Sequence, residues 1–84
     1  MTGDYKFFRV EECPPAAKRV TSTYRIVSKG NGAALGSIKW YGSWRQFCFF
    51  PEPNTVWSAG CLADLQDFFK RLAADRARKG IGGT

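Results

Sequence analysis

The chain has no histidine, and its three cysteines, Cys13, Cys48 and Cys61, form no Cys-x-x-Cys pair. Without imidazole and paired thiolates the usual zinc sites cannot be assembled, so no metal is expected. Enzymatic chemistry loses its commonest general base, and a cysteine nucleophile loses its customary partner. The few carboxylates are spread over an N-terminal strand, a proline loop and the polar side of a helix, with no convergent pair. Gly30-Asn31-Gly32 joins strands and opens no helix, so it is not a phosphate-binding fingerprint. The expectation is a protein that is no enzyme and carries no cofactor. Long apolar runs are missing too, and Met1 to Lys6 lacks the charged-then-apolar order of a leader. No membrane partner is expected, and the thiols suit a reduced cytoplasm, with Cys48 and Cys61 as small half-buried hydrophobes.

Acids are scarce as well: seven Asp and Glu stand against thirteen Lys and Arg, a formal charge of +6. That balance favours nucleic acid or another anionic partner, and it equally serves solubility. Across 84 residues, 44% are hydrophobic and 15% aromatic, enough for one small domain with a packed core and too few for a second.

Residues 1–12 read as an N-terminal strand arm, with Phe8 and Val10 on one side and Phe7 and Arg9 on the other. Pro14-Pro15 marks a connector over 13–20. Residues 21–57 read as sheet: a strand over Thr21–Lys29, a turn at Gly30-Asn31-Gly32, a strand over Leu35–Tyr41, its hairpin partner, and a short apolar strand at Thr55–Trp57. Ser58 is placed to cap a helix over 58–79. Leu62, Leu65, Phe68, Phe69 and Leu72 make its apolar stripe, Asp67 and Arg71 form an i, i+4 pair, and Arg76, Arg78 and Lys79 complement its C-terminal dipole. Residues 80–84 read as a flexible tail. The fold class is α+β: an antiparallel sheet of four or five short strands with one C-terminal helix packed across one face. The arm over 1–12 adds to its own sheet edge or reaches to a second copy, giving a homodimer.

The most informative run is 38–50, Ile-Lys-Trp-Tyr-Gly-Ser-Trp-Arg-Gln-Phe-Cys-Phe-Phe. A two-residue turn at Gly42-Ser43 sets Tyr41 opposite Trp44, Trp40 opposite Arg45 and Lys39 opposite Gln46. Ile38, Trp40, Arg45, Phe47 and Phe49 then share an oily face, which the helix covers together with Tyr24 and Ile26. The other face carries Arg25, Lys29, Lys39, Tyr41, Trp44 and Gln46, the candidate binding residues. Cations there attract phosphates while rings stack unpaired bases. Such a surface also suits a protein or nucleotide partner, and cross-strand rings stabilise a hairpin without any partner.

Leu35-Gly36-Ser37-Ile38-Lys39-Trp40-Tyr41, with Trp44-Arg45-Gln46-Phe47 and Cys61-Leu62-Ala63-Asp64-Leu65, resembles short uncharacterised proteins of bacteriophages and prophages. That resemblance implies a role in the bacterial host cytoplasm: host takeover, DNA handling or inhibition of a defence system. Strands followed by a helix, over roughly Tyr24 to Arg78, also look like AP2-type and integrase-arm DNA-binding domains, whose sheets engage duplex DNA through Arg and Trp. The reading is a non-enzymatic nucleic-acid-binding module using the Lys39, Tyr41, Trp44 face. The alternative is a phage-type inhibitor or sequestering protein that binds a host protein, a nucleotide ligand or its own copy.

Overall fold

Alternating apolar residues build the sheet, and one amphipathic helix closes it. The computed structural model describes residues 1–15 and 21–79. The strands are β1 (Gly3–Asp4), β2 (Phe8–Cys13), β3 (Thr23–Ser28), β4 (Ala34–Tyr41) and β5 (Gln46–Pro51), followed by helix α1 (Ala59–Lys79). They form a five-stranded antiparallel meander in chain order, the α+β arrangement expected from the sequence. Part of the expected connector, 16–20, and the whole tail, 80–84, lie outside the described residues.

The N-terminal arm joins its own sheet. It is two strands rather than one, because the Tyr5 N–H donates to Phe8 C=O at 2.9 Å and reverses the chain, so that Gly3 pairs with Val10. Tyr5 also ties the arm to the helix: its hydroxyl donates to Asp67 at 2.7 Å and accepts from Arg71 at 3.3 Å. The expected Asp67–Arg71 contact is therefore bridged by a phenol from elsewhere in the chain.

The pairing of Tyr24 with Ile38 and Val10 with Ile26 puts Phe8, Val10, Tyr24, Ile26 and Ile38 on one face. Leu65, Phe68 and Leu72 of α1 pack onto them as a single cluster. Each large side chain buried there contributes about 1.5–3 kcal/mol. Leu62, expected in the stripe, is instead half exposed, and Cys61, one residue earlier in the same turn, packs against the cluster in its place. Burial holds the Tyr24 phenol above its ordinary value of 10.0, and the Glu12 and Asp75 carboxylates add to the effect. Gly36 admits the ring of Phe49, because a Cβ built there would meet Phe49 Cε1 at 2.6 Å. Gly32 takes a φ of 73° in the β3–β4 turn, where an L side chain is disfavoured.

Thr55–Trp57 is not a strand. Asn54 is left-handed at φ 63°, and the Thr55 hydroxyl donates to Glu52 C=O at 2.8 Å while accepting from Trp57 Nε1 at 3.0 Å. The loop so formed turns Trp57 beneath the sheet, 4.9 Å from the Phe49 ring and 5.9 Å from that of Phe8. Ser58 caps α1 as expected, its Oγ accepting from the Cys61 N–H at 3.1 Å.

Candidate nucleic-acid interface

The helix covers one face of the sheet and leaves the other open. By register the open face carries Arg9 and Glu11 on β2, Arg25 and Val27 on β3, Ser37, Lys39 and Tyr41 on β4, and Gln46, Cys48 and Phe50 on β5. Arg9 and Glu11 neutralise each other at 2.8 Å. Arg25 and Lys39 have no ion-pair partner among the described residues. The Lys39 ammonium lies 4.7 Å above the centre of the Phe50 ring.

The hairpin turn differs from the expected one. Tyr41 faces Gln46, not Trp44, and Trp40 faces Phe47, so Gly42 to Arg45 form a four-residue turn. Its bonds run from the Trp44 N–H to Tyr41 C=O and from the Arg45 N–H to Gly42 C=O, each 3.2 Å. The positive φ falls on Arg45, at 55°, and not on Gly42. Arg45 accordingly belongs to the turn and not to the strand that was expected to carry it. Faces within the strands survive, because the register moves by two residues and side chains alternate with period two.

Trp44 comes back over the open face from the turn. Its indole meets Tyr41 edge to face at 5.0 Å, and Tyr41 meets Phe50 at 6.2 Å. A row of rings thus runs Trp44, Tyr41, Phe50, with Lys39 at its end. Trp44 is 66% exposed and Tyr41 37%, unusual for rings of this size.

The chain is similar to a small phage protein. Over 56 residues it is 29% identical to an uncharacterized 9.3 kDa protein of Acholeplasma phage L2, a match covering 67% of this chain and 72% of that protein. No family model matches, and no solved structure does. No helix among the described residues is long and apolar enough to cross a membrane.

Of the six residues singled out from the sequence, Lys39, Tyr41, Trp44 and Gln46 come together at the β4–β5 end, and Arg25 lies on the same face one strand away. Lys29 does not join them. It sits past the end of β3, with its ammonium 2.6 Å from Asp4 and its N–H bonded to Phe7 C=O. Phe50 was missed as a site residue, although it shares the alternation of Gln46 and Cys48.

A second constellation was not foreseen. Behind the hairpin tip, on the helix side, a cleft of about 340 Å³ is bordered by Trp40, Arg45, Phe47, Phe69 and Arg76. The Arg76 guanidinium lies 4.8 Å from the Trp40 ring and 5.3 Å from Phe47. Arg76 was read as a dipole partner; its long side chain instead caps the rings, a contact across the fold that helix periodicity does not reveal.

Proposed function

We propose that this protein binds single-stranded nucleic acid on the open face at the β4–β5 end. The observation that carries this reading is the row of exposed Trp44 and Tyr41 and half-buried Phe50 beside two cations, Lys39 and Arg25, that no carboxylate among the described residues engages. Exposed ring faces offer stacking to unpaired bases, and ammonium and guanidinium groups track the phosphates. Gln46, opposite Tyr41, supplies an amide that donates and accepts at a base edge.

Fluorescence titration of the tryptophans with a single-stranded oligonucleotide tests the proposal. Trp44→Ala should weaken binding by about 1–3 kcal/mol, the range for a stacked base. Lys39→Ala should lower the salt slope by about one phosphate contact. Duplex DNA is the comparison arm, because the order β3, β4, β5, α1 resembles the AP2-type and integrase-arm domains. Absence of binding at low salt to either form would sink the reading.

Contact with a host protein is the second reading. It is favoured by the similarity to a phage protein together with the apolar Val56 and Leu62, exposed around the start of α1. A partner held there would bind with little dependence on salt and with no loss in Trp44→Ala.

A further inference from the structure

The two edges of the sheet are unlike. On the N-terminal side β1 covers β2 with a two-residue strand, Asp4 holds Lys29, and Glu11 and Glu12 stand further along β2. Short strands and charges of this kind blunt an edge against pairing. The other edge is β5, Gln-Phe-Cys-Phe-Phe-Pro, which has no charged side chain.

The groups that β5 presents outward follow from the phase of its ladder. The Glu52 N–H donates to Leu35 C=O at 3.0 Å, which makes these two a hydrogen-bonded pair. Such pairs alternate along an antiparallel ladder, so Ser37 with Phe50, Lys39 with Cys48 and Tyr41 with Gln46 are the bonded pairs that follow. Phe47, Phe49 and Pro51 fall between them, with their backbone groups directed away from β4. Pro51 suits that place, since it has no N–H to give. Among the described residues no turn or loop bond reaches the backbone of Phe47 or Phe49, and Phe47, Cys48, Phe49 and Phe50 are all partly exposed.

We propose that β5 pairs antiparallel with β5 of a second copy of this chain, across a twofold axis at Cys48. In that register Phe47 exchanges both its backbone bonds with Phe49 of the partner subunit, and Phe49 does the same with Phe47 of the partner subunit. Moving the axis to Phe49 sets the Pro51 ring against the carbonyl of Phe47 of the partner subunit, where an N–H is needed. Moving it to Phe47 draws Arg45, left-handed at φ 55°, into an extended ladder. The edge is self-complementary, as a twofold interface must be. The two sheets become one, and both open faces look the same way, so the Trp44, Tyr41, Phe50 rows flank the axis. This pairing rests on the backbone and charge of β5, independently of what the open face binds.

Cys48 reports the register. Facing residues of a non-hydrogen-bonded pair have Cα atoms about 4.5 Å apart, inside the range of about 4.4–6.8 Å that a disulfide spans. With diamide as oxidant, the two thiols lose two hydrogens to its N=N bond, giving one S–S bond and the hydrazine. Cys13→Ser/Cys61→Ser should still give a crosslinked dimer on a non-reducing gel, and Cys48→Ser should lose it. Sedimentation equilibrium of the untreated protein should show the mass rising with concentration to twice that of the chain. Cys48→Lys, which sets two ammonium groups face to face at the axis and touches no core residue, should stay at monomer mass with an unchanged circular dichroism spectrum. A wild-type chain that stays monomeric at every concentration, a dimeric Cys48→Lys, or a crosslink that requires Cys13 or Cys61 would each overturn the proposal.

Discussion

The two faces of the sheet use the same material for opposite ends. On the covered face Trp57 lies edge-on to Phe8 and Phe49, Trp40 to Phe47, and Tyr24 to Phe68, while α1 seals the cluster from water. On the open face Trp44, Tyr41 and Phe50 meet at similar angles with no helix above them. Ring geometry does not separate the two. What separates them is the third layer: a ring under the helix gains the full free energy of burial, whereas a ring on the open face keeps much of its surface available to a ligand.

Substitutions on either side sharpen this contrast. The largest loss is expected for Phe68→Ala, since Phe68 is fully buried against Tyr24; about 3–5 kcal/mol should disappear from the urea unfolding free energy. Gly36→Ala comes next. Its Cβ would stand 2.6 Å from Phe49 Cε1 and 2.9 Å from Phe50 C=O, so overpacking should cost about 1–3 kcal/mol and lower Tm. Trp44→Ala removes a larger ring yet breaks one edge-to-face contact, worth about 0.5–1.5 kcal/mol. If Trp44→Ala destabilised the fold as much as Phe68→Ala, the open face would be structural and the contrast would fail.

The smallest effect concerns pH. The Tyr24 phenol is held above 10.0 mainly by burial, so the folded chain keeps its proton where the unfolded chain has lost it. Its contribution to stability is present in full below pH 10 and falls as pH rises through the folded value. Tyr5 is raised in the same sense, by burial and by the hydrogen bond it donates to Asp67. Urea midpoints measured on both sides of pH 10 should decline more gently in Tyr24→Phe than in the wild type. An equally steep decline would place the alkaline weakness elsewhere.

The covered face was legible in the sequence because its signals are local and repeat: Phe8 with Val10, Tyr24 with Ile26, and Leu65, Phe68 and Leu72 at helical spacing. The faces of the hairpin strands were legible even though its turn was not. Gly42-Ser43 favours a tight turn by composition, but the chain spends four residues there and places the left-handed conformation on Arg45, where composition gives no warning. Strand β1 was invisible, since a two-residue strand has no periodicity. The triplet Thr55–Trp57 looked like a strand because it is apolar and β-branched; its fate was decided by Asn54 and by rings of β2 and β5 distant in sequence. The row on the open face was legible at Lys39, Tyr41 and Trp44, which the structure brings to one end of the sheet. Lys29 was drawn off by Asp4, a contact that depends on the unseen β1.

The meander fixes an order of events as well as a shape. Strands are synthesised in the sequence in which they pair, and the helix that covers them is made last. Between the emergence of Pro51 and that of Lys79, the growing chain holds a pairable sheet whose Phe8, Ile26, Ile38 and Phe49 have no cover. Neighbour-to-neighbour pairing lets such strands assemble quickly, so docking of α1 is the step that ends the exposure. Ser58, which starts the helix seven residues beyond Pro51, keeps that interval short.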